Sequence, residues 1–588
     1  MVAYTFSQLI DFTRVSTGAN LSPGTFVGSN GLIQLSTASA NLLLWTQEFD
    51  NAVWAKPQAT ATANTTAAPD GTMTADTLVD TAVSNIHYAN QASGSTLSPG
   101  ATVVMSVYAK ASTLNFVTVG ISDISSGSLY AVAVFNLTSG TLATSGAAGT
   151  GYAVLATSIT SVGNGWYRCT ATCTVGTSAS FIRGAIGLNK TGVITGAAGG
   201  MESYLGNGSG IFLWGAELEL GSTATAYTRN VGGVFPPRFD YDPITLAPLG
   251  ILIEETRANL FPQSQDFSTW TPVTTNVAKT AVAPDGTTTG DVLTPTGGTG
   301  SYVRRQVAFT GNGDKSFSVF VKAGTSTTTR LVLRDLTPTA TNRAAVDLTW
   351  TAGVPSGVAS PGTLQGIDAY PNGWYRIRML ATGVVAANIN EFRFSPDVSA
   401  GTGTVIMWGA QTEDGGFATS YIPTTGTVLT RNADRAAIVA PMFTPWFSAS
   451  AGTFVAKFDL IGSATSTLRR HVWNGTDAGN QRLSLRGIEP ATGFPLAAIG
   501  TGTSVVSFNG TALTVNTPVN IAVAYGTNMA YSQNGAAAIT DPSAASVSIS
   551  SLDIGSNLAG TLFLNGHLRS IDYYPTRLSN AQLQALTV

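Results

Sequence analysis

Apolar and polar residues alternate in short runs along most of the chain, as in "ATVVMSVYAK" (101–110), "GIFLWGAELEL" (210–220) and "KSFSVFVKAG" (315–324). A period of two places successive side chains on opposite faces of an extended backbone, so each run predicts a half-buried β-strand. The runs are bounded by Gly, Asn, Asp and Ser, and helix-period stretches are almost absent. The exception is the end of the sequence, where Ser579 reads as the N-cap of a short helix with Leu583 and Leu586 on one side. Asn-Gly, the strongest short hairpin signal, recurs at Asn164-Gly165, Asn312-Gly313, Asn372-Gly373, Asn474-Gly475, Asn509-Gly510, Asn534-Gly535 and Asn565-Gly566. The expected fold is all-β, built from β-sandwiches.

A repeat organises the first three quarters of the chain. "NLLLWTQEFDNAVW" (41–54), "APDGTMTADTL" (68–78), "MSVYAKA" (105–111) and "GNGWYR" (163–168) return in the same order as "NLFPQSQDFSTW" (259–270), "APDGTTTGDVL" (283–293), "FSVFVKA" (317–323) and "NGWYR" (372–376). Both copies close on related phrases, "FLWGAELELGSTATAYTRN" (212–230) and "IMWGAQTEDGGFATSYIPTTGTVLTRN" (406–432). Fixed order over this span is the signature of a tandem duplication. In each copy Asn-Gly supplies a tight turn, and the following Trp (Trp166, Trp374) starts a strand as a core or hairpin anchor, with ligand stacking as the alternative. Trp214 and Trp408, inside apolar strands, are expected in the core. Three serial jelly-roll sandwiches follow: a leader at 1–40, module 1 at 41–230, a Pro-rich extended connector at 231–258, module 2 at 259–435, and an unrelated sandwich at 436–588.

Charged residues make up only 10% of the 588 residues and the formal net charge is −3, so the chain lacks the basic field that nucleic acid or an anionic membrane requires. No apolar run approaches the ~18 residues of a membrane-spanning helix, and "MVAYTFSQLIDFTR" lacks the basic start of a cleaved signal, so a soluble protein is expected. Cys169 and Cys173 lie four apart on a predicted strand, about 13 Å and out of disulfide reach, and read as buried small hydrophobes.

The leader "FSQLIDFTRVSTGANLSPGTFVGSNGLIQ", the connector "RFDYDPITLAPLGILIEETRANL" and the module phrases resemble the serial elements of tailed-bacteriophage and prophage virion proteins, the head-spike and tail-fibre class. The C-terminal unit, with its ending "GHLRSIDYYPTRLSNAQLQAL", resembles a laminin-G or concanavalin-type lectin domain. The order departs from expectation, because the "RFDYDP" connector appears only before module 2, as though module 1 had been inserted. The resemblance implies a virion location, attachment to virion structural proteins through the N-terminus, homo-oligomers (often trimers), and binding of host surface polysaccharide. A purely structural or decorative virion protein is the alternative. No cofactor is implied beyond the structural calcium that jelly rolls often hold. Its candidate ligands are Glu48, Asp70 and Glu217, with Asp266, Asp285 and Glu413 as counterparts, and ordinary turn and edge positions explain the same residues equally well.

No catalytic constellation is legible: there is no HExxH, GxSxG or Walker loop, and the three histidines (His87, His471, His567) have no partners in sequence. The Gly-rich "GNGSG" (206–210) precedes a strand, not a helix, and reads as a loop. A non-enzymatic protein is expected, with a glycan depolymerase as the disfavoured reading. Candidate glycan contacts fall in the C-terminal unit. "RRHVWNGTD" offers Arg469, Arg470, His471, Trp473, Asn474 and Asp477, and "AYSQNG" offers Tyr531, Gln533 and Asn534. Rings beside amides suit the apolar face and hydroxyls of a pyranose, and the competing reading of both stretches is ordinary hairpin tips.

Overall fold

The computed structural model describes residues 4–5, 11–13, 24–36, 41–93, 97–124, 126–176, 182–196, 198–225, 227, 229–230, 237–438, 443, 446–462, 469–476, 482–489, 494–501, 504–557 and 561–588. Strands dominate. The one α-helix among these residues, Asn580–Leu586, starts at Ser579 with the reciprocal capping box to Gln582 and buries Leu583. The chain divides into two compact units, 38–236 and a second made of 1–37 together with 237–588.

The first unit contains module 1, a sandwich of two antiparallel sheets. The six-stranded sheet runs Ala153–Gly163, Trp166–Thr174, Thr102–Ala111, Gly210–Leu220, Ala75–Asp80, Ala59–Thr66. The five-stranded sheet runs Thr141–Ala148, Tyr130–Asn136, Phe116–Asp123, Ile182–Asn189, Tyr88–Ala92. Module 2 repeats the first sheet strand for strand: Thr363–Tyr370, Trp374–Val384, Gly313–Ala323, Val405–Asp414, Gly290–Pro295, Thr275–Ala281. Its second sheet has the same order with one added edge strand. The duplication read from the sequence is therefore a duplication of topology.

The repeated phrases coincide with repeated contacts. Asn164 and Gly165, like Asn372 and Gly373, take left-handed backbone angles in the turn before "WYR". Trp166 and Trp374 are buried, and each indole donates a 3.0 Å hydrogen bond to the loop that opens "APDGT", at the carbonyls of Ala67 and Val282. The indoles of Trp214 and Trp408 donate to Thr74 and Thr289, again at 3.0 Å. After each of these tryptophans the strand register shifts at a glycine, Gly215 (φ 60) and Gly409 (φ 62). A Cβ there would sit 3.0 Å from the Tyr108 or Phe320 ring, so glycine is required both for the bulge and for the close approach. Asp76 and Asp291 each accept a 2.7 Å bond from the backbone N–H of Phe49 and Phe267. Burial pushes their carboxyls up, to about 7 and about 6. Cys169 and Cys173 are fully buried free thiols, and burial pushes Cys173 up to about 12.

In the second unit the leader and connector are integral parts of the fold. The C-terminal sandwich pairs an eight-stranded sheet with a seven-stranded one. The connector extends the first: Pro248–Ile253 pairs onto Gly566–Tyr574 and carries Phe239–Tyr241 on its outer edge, while Gly566–Tyr574 also pairs with leader strand Tyr4–Thr5. Leader strand Asp11–Thr13 joins the other sheet beside Arg435–Ile438. A leader hairpin, Thr25–Val27 with Ile33–Leu35, brings Ile33 into a cluster of module 2 with Phe320, Trp374, Trp408 and Tyr421. Segments that the sequence presents as a separate leader and connector thus cover sheet edges and faces that would otherwise lie open.

These pieces meet at a buried ion quartet. Arg238 of the connector bonds Glu254 (2.8 Å) and Asp434, and Arg431 bonds Glu254 from the other side (2.8 Å). All four side chains are at most 2% exposed. Arg238 also donates to the carbonyl of Thr25 in the leader (2.8 Å) and the hydroxyl of Ser420 in module 2 (2.6 Å). Burial opposes the charge on Glu254, but the two guanidinium groups outweigh it and hold the carboxyl well below its usual range. Breaking such a network by removing one partner typically costs about 3–5 kcal/mol. Arg238→Met is therefore expected to destabilise the second unit by that order, lowering its melting transition while leaving that of 38–236 in place. Calorimetry showing an unchanged second unit, or a common shift of both transitions, would contradict this architecture.

Candidate functional site

The six-stranded sheet of each module turns one face to the core, through Met105, Val107 and Cys169 in module 1 and Phe317, Val319 and Ile377 in module 2. The alternate residues form the opposite face. In module 1 that face holds Arg168, which donates to Ser106 (3.0 Å), the Thr225 carbonyl (2.6 Å) and Glu217 (2.9 Å), with its guanidinium 5.6 Å from the centre of the Tyr108 ring. Around this pair lies a groove of about 490 Å³ lined by hydroxyls, among them Thr157, Ser158, Thr160, Thr170 and Thr223.

Module 2 carries the same core of the site with different surroundings. Arg376 donates to Ser318 (2.9 Å) and the Thr419 carbonyl (2.7 Å), 5.5 Å from the Phe320 ring. Where module 1 has Thr160 and Thr170, module 2 has Asp368 and Arg378, joined by two bonds of 2.5 and 3.0 Å. This face is walled by the leader hairpin, the connector turn and the C-terminal sandwich, enclosing a cleft of about 500 Å³.

At the floor of that cleft His567 lies between two carboxylates, with Nε2 2.8 Å from Asp240 and Nδ1 2.8 Å from Asp459. Asp240 also accepts the backbone N–H of Val27 from the leader (2.6 Å), and Asp459 accepts from Arg569 (3.1 Å). Burial lowers the His567 pKa, but the hydrogen bonds and charges of Asp240 and Asp459 outweigh it and raise it to about 9. The ring is an imidazolium at neutral pH with both nitrogens committed, so it is a latch and not a general base.

The sequence-selected residues of the C-terminal unit are placed elsewhere. Arg470–Thr476 is an interior strand of the seven-stranded sheet, not a hairpin tip. Trp473 is fully buried in the sandwich core, and Tyr531 is 1% exposed, its ring 6.2 Å from Phe508 and its hydroxyl donating to Gln533 (2.9 Å). Neither offers the exposed ring expected of a sugar platform. His471 and Asn474 are buried, and burial, reinforced by Arg486 and Arg469, lowers His471 to about 4. Arg470 is buried 5.1 Å from the Phe417 ring of module 2, while Arg469 pairs with Glu489. Asn534 is exposed at a left-handed turn, where its side chain accepts the Asn520 N–H (2.9 Å). Asp477 lies outside the described residues. Gly475 is there for packing, because a Cβ would meet Ile549 at 2.4 Å.

The candidate calcium ligands do not assemble a cage. Glu48 pairs with Arg229, Glu217 with Arg168 and Asp266 with Lys279, while Asp70 and Asp285 cap turns at Thr72 and Thr287. Glu413 accepts from the backbone and hydroxyl of Thr419, and its structural counterpart is Glu219, which does the same with Thr225; Glu217 corresponds to Gln411. No cluster of three or more His, Cys, Asp or Glu suited to a metal occurs among the described residues. The "GNGSG" loop is a nest of backbone N–H groups filled from within, with Asn207, Gly208 and Ser209 all donating to Asp80 at 2.7–3.0 Å.

The groove of module 1 was missed by the sequence reading. Its strand "AVLATSITSVG" looks like an ordinary surface strand, and the available signal was the contrast between copies, Thr160 and Thr170 against Asp368 and Arg378.

No protein-family model matches the chain, and no curated protein matches it. Similar solved structures include the N-terminal CBM22-1–CBM22-2 tandem domain of Paenibacillus barcinonensis Xyn10C, at 10% identity over 64% of this chain and 98% of that one (TM-score 0.20). Domains LG4-5 of the mouse laminin alpha1 chain match at 7% identity over 56% and 91% (TM-score 0.18). Botulinum neurotoxin type C, whose cell entry depends on two ganglioside molecules, matches at 10% identity over 26% of this chain and 40% of that one (TM-score 0.21). Identities and scores this small lend no support to a function.

The His567 latch yields a pH dependence. Its folded-state pKa of about 9 stands above the ordinary 6.5, so its contribution is complete below about pH 6.5 and is lost as pH rises through about 9. The unfolding free energy of the second unit should fall across that window in the native chain and stay flatter in His567→Gln, measured by denaturant titration at each pH. Parallel profiles for the two proteins would contradict the latch.

Proposed function

We propose that this chain is a glycan-binding fibre or spike protein of a tailed phage or phage-like particle, and that the module 1 groove holds the host surface polysaccharide. The binding part of this reading rests on one observation: the groove is lined by hydroxyls around a Tyr108–Arg168 pair, on the face that module 2 has covered. Hydroxyls and a fixed guanidinium exchange hydrogen bonds with sugar hydroxyls, and the half-buried Tyr108 ring offers an apolar surface to a pyranose. The near absence of net charge suits a neutral polysaccharide. The virion part rests on the resemblance of the leader, connector and module phrases. Because leader strands Tyr4–Thr5 and Asp11–Thr13 belong to sheets of the second unit, attachment through the leader would involve that unit's folded surface. Single sugar sites are weak, and a homo-oligomer present in several copies would supply the avidity that cell attachment needs.

Thr160, on the surface strand Ala153–Gly163, and Ser222, in the bend after Gly210–Leu220, are exposed on the groove, where a tryptophan is compatible with the fold. Thr160→Trp and Ser222→Trp are expected to weaken binding of the full chain to host-cell polysaccharide at least tenfold with unchanged melting. Binding that survives both substitutions would remove the groove from the account. A chain that binds no host polysaccharide, but whose deletion impairs particle assembly, would establish the purely structural reading.

A further inference from the structure

We infer that the cleft of the second unit is a separate saccharide site, built for a neutral, hydroxyl-rich ligand and independent of the module 1 groove. Its volume, about 500 Å³, falls within the range of ordinary ligand sites, about 300–1,000 Å³. Four stretches of chain supply its walls: the leader hairpin, the connector turn, the module 2 sheet and the C-terminal sandwich. Three rings that line it, Phe26, Tyr241 and Tyr370, are only partly buried.

The polar groups are fixed before any ligand arrives. Asp368 is held flat by the fork of Arg378 and remains 39% exposed. Asp242 is oriented by the backbone N–H groups of Ile244 and Thr245, which use one of its oxygens. Arg569 is tethered through one nitrogen to Asp459, which His567 holds in turn, while its Nε is buried without a hydrogen-bond partner among the described residues. Asn516 adds an exposed amide at the rim. Donors and acceptors thus stand ready at several points with little side-chain freedom left to lose, the condition under which weak polar contacts add to affinity.

Charge decides the ligand class. Asp240, Asp242, Glu254, Asp368 and Asp459 line the cleft with Arg376, Arg378, Arg569 and the His567 imidazolium, so opposite charges nearly cancel and are mostly paired with one another. A ligand with strong charge of either sign would have to break these pairs. Sugar hydroxyls can instead donate to the outer oxygens of Asp368 and Asp242 and accept from Arg569 and Asn516, while an aromatic ring covers a CH face.

The test titrates the full chain by calorimetry with neutral di- to tetrasaccharides of glucose, galactose, mannose and N-acetylglucosamine. Asn516→Gly removes the amide but tolerates the left-handed backbone at that position (φ 57), and Tyr241→Leu removes a ring. Thr160→Trp blocks only the module 1 groove. With at least one member of the panel, Thr160→Trp should retain binding that Asn516→Gly and Tyr241→Leu each weaken at least tenfold without change in melting. Binding abolished by Thr160→Trp and untouched by the two cleft variants would overturn this inference and leave the groove standing. Absence of binding by any member of the panel to the Thr160→Trp chain would also overturn it, whatever the native chain binds.

Discussion

Four charges buried together set the terms for the second unit. Arg238, Arg431, Glu254 and Asp434 are removed from water almost completely, at a desolvation cost of several kcal/mol per ion. The arrangement is tolerable only because each charge has an opposite partner and most remaining donors reach Thr25, Thr419, Ser420 or the Glu255 carbonyl. Those partners belong to the leader, the connector, module 2 and the segment that enters the C-terminal sandwich. Separating connector from module 2 would strand buried charges, and removing the leader would take away an acceptor of Arg238, which ties segments distant in sequence to one another. The His567 latch and Phe417, whose ring meets Arg257 at 4.9 Å and Arg470 at 5.1 Å, tie the same pieces at two further points.

The duplicated modules show what such docking does to a surface. The two copies keep the same strand order, the same indole hydrogen bonds and the same arginine over an aromatic ring. They differ where module 2 meets the leader and connector: hydroxyls at 160 and 170 in module 1 become the ion pair Asp368–Arg378 beside a walled cleft in module 2. Module 1 keeps an open hydroxyl-lined groove. The same sheet face is thus an open groove in one copy and one wall of a cleft in the other.

Much of this was legible in the sequence because the governing interactions are local or periodic. Strand alternation, the Asn-Gly turns at 164–165 and 372–373, the core tryptophans Trp166, Trp214, Trp374 and Trp408, and the Ser579 cap all depend on neighbours within a few residues or on the repeat itself. The misreadings have a different origin. Asn474-Gly475 has the composition of a turn, but its glycine answers to the close approach of Ile549, set by tertiary packing. Trp473 looked like a sugar platform because flanking polar residues suggested a surface, whereas the strand is interior to its sheet. Leader strands of two and three residues carry no readable period, and their partners at 435–438 and 566–574 lie hundreds of residues away. The same distance hides the pairing of Arg238 with Asp434.

The central claim is that leader, connector, module 2 and C-terminal sandwich open together. Native-state hydrogen exchange of the full chain measures this directly, through the amides of Val27 and Glu254, which bond across the pieces to Asp240 and Asp434, and those of Leu252 and His567, which bond within the connector to the Arg238 carbonyl and within the C-terminal sandwich to Asp459. These amides should exchange with one common opening free energy, distinct from that of amides in the module 1 sheets. Rapid exchange at Val27, Leu252 and Glu254 while the sheets of module 2 and of the C-terminal sandwich stay protected would show that leader and connector are mere tethers, and would contradict the account.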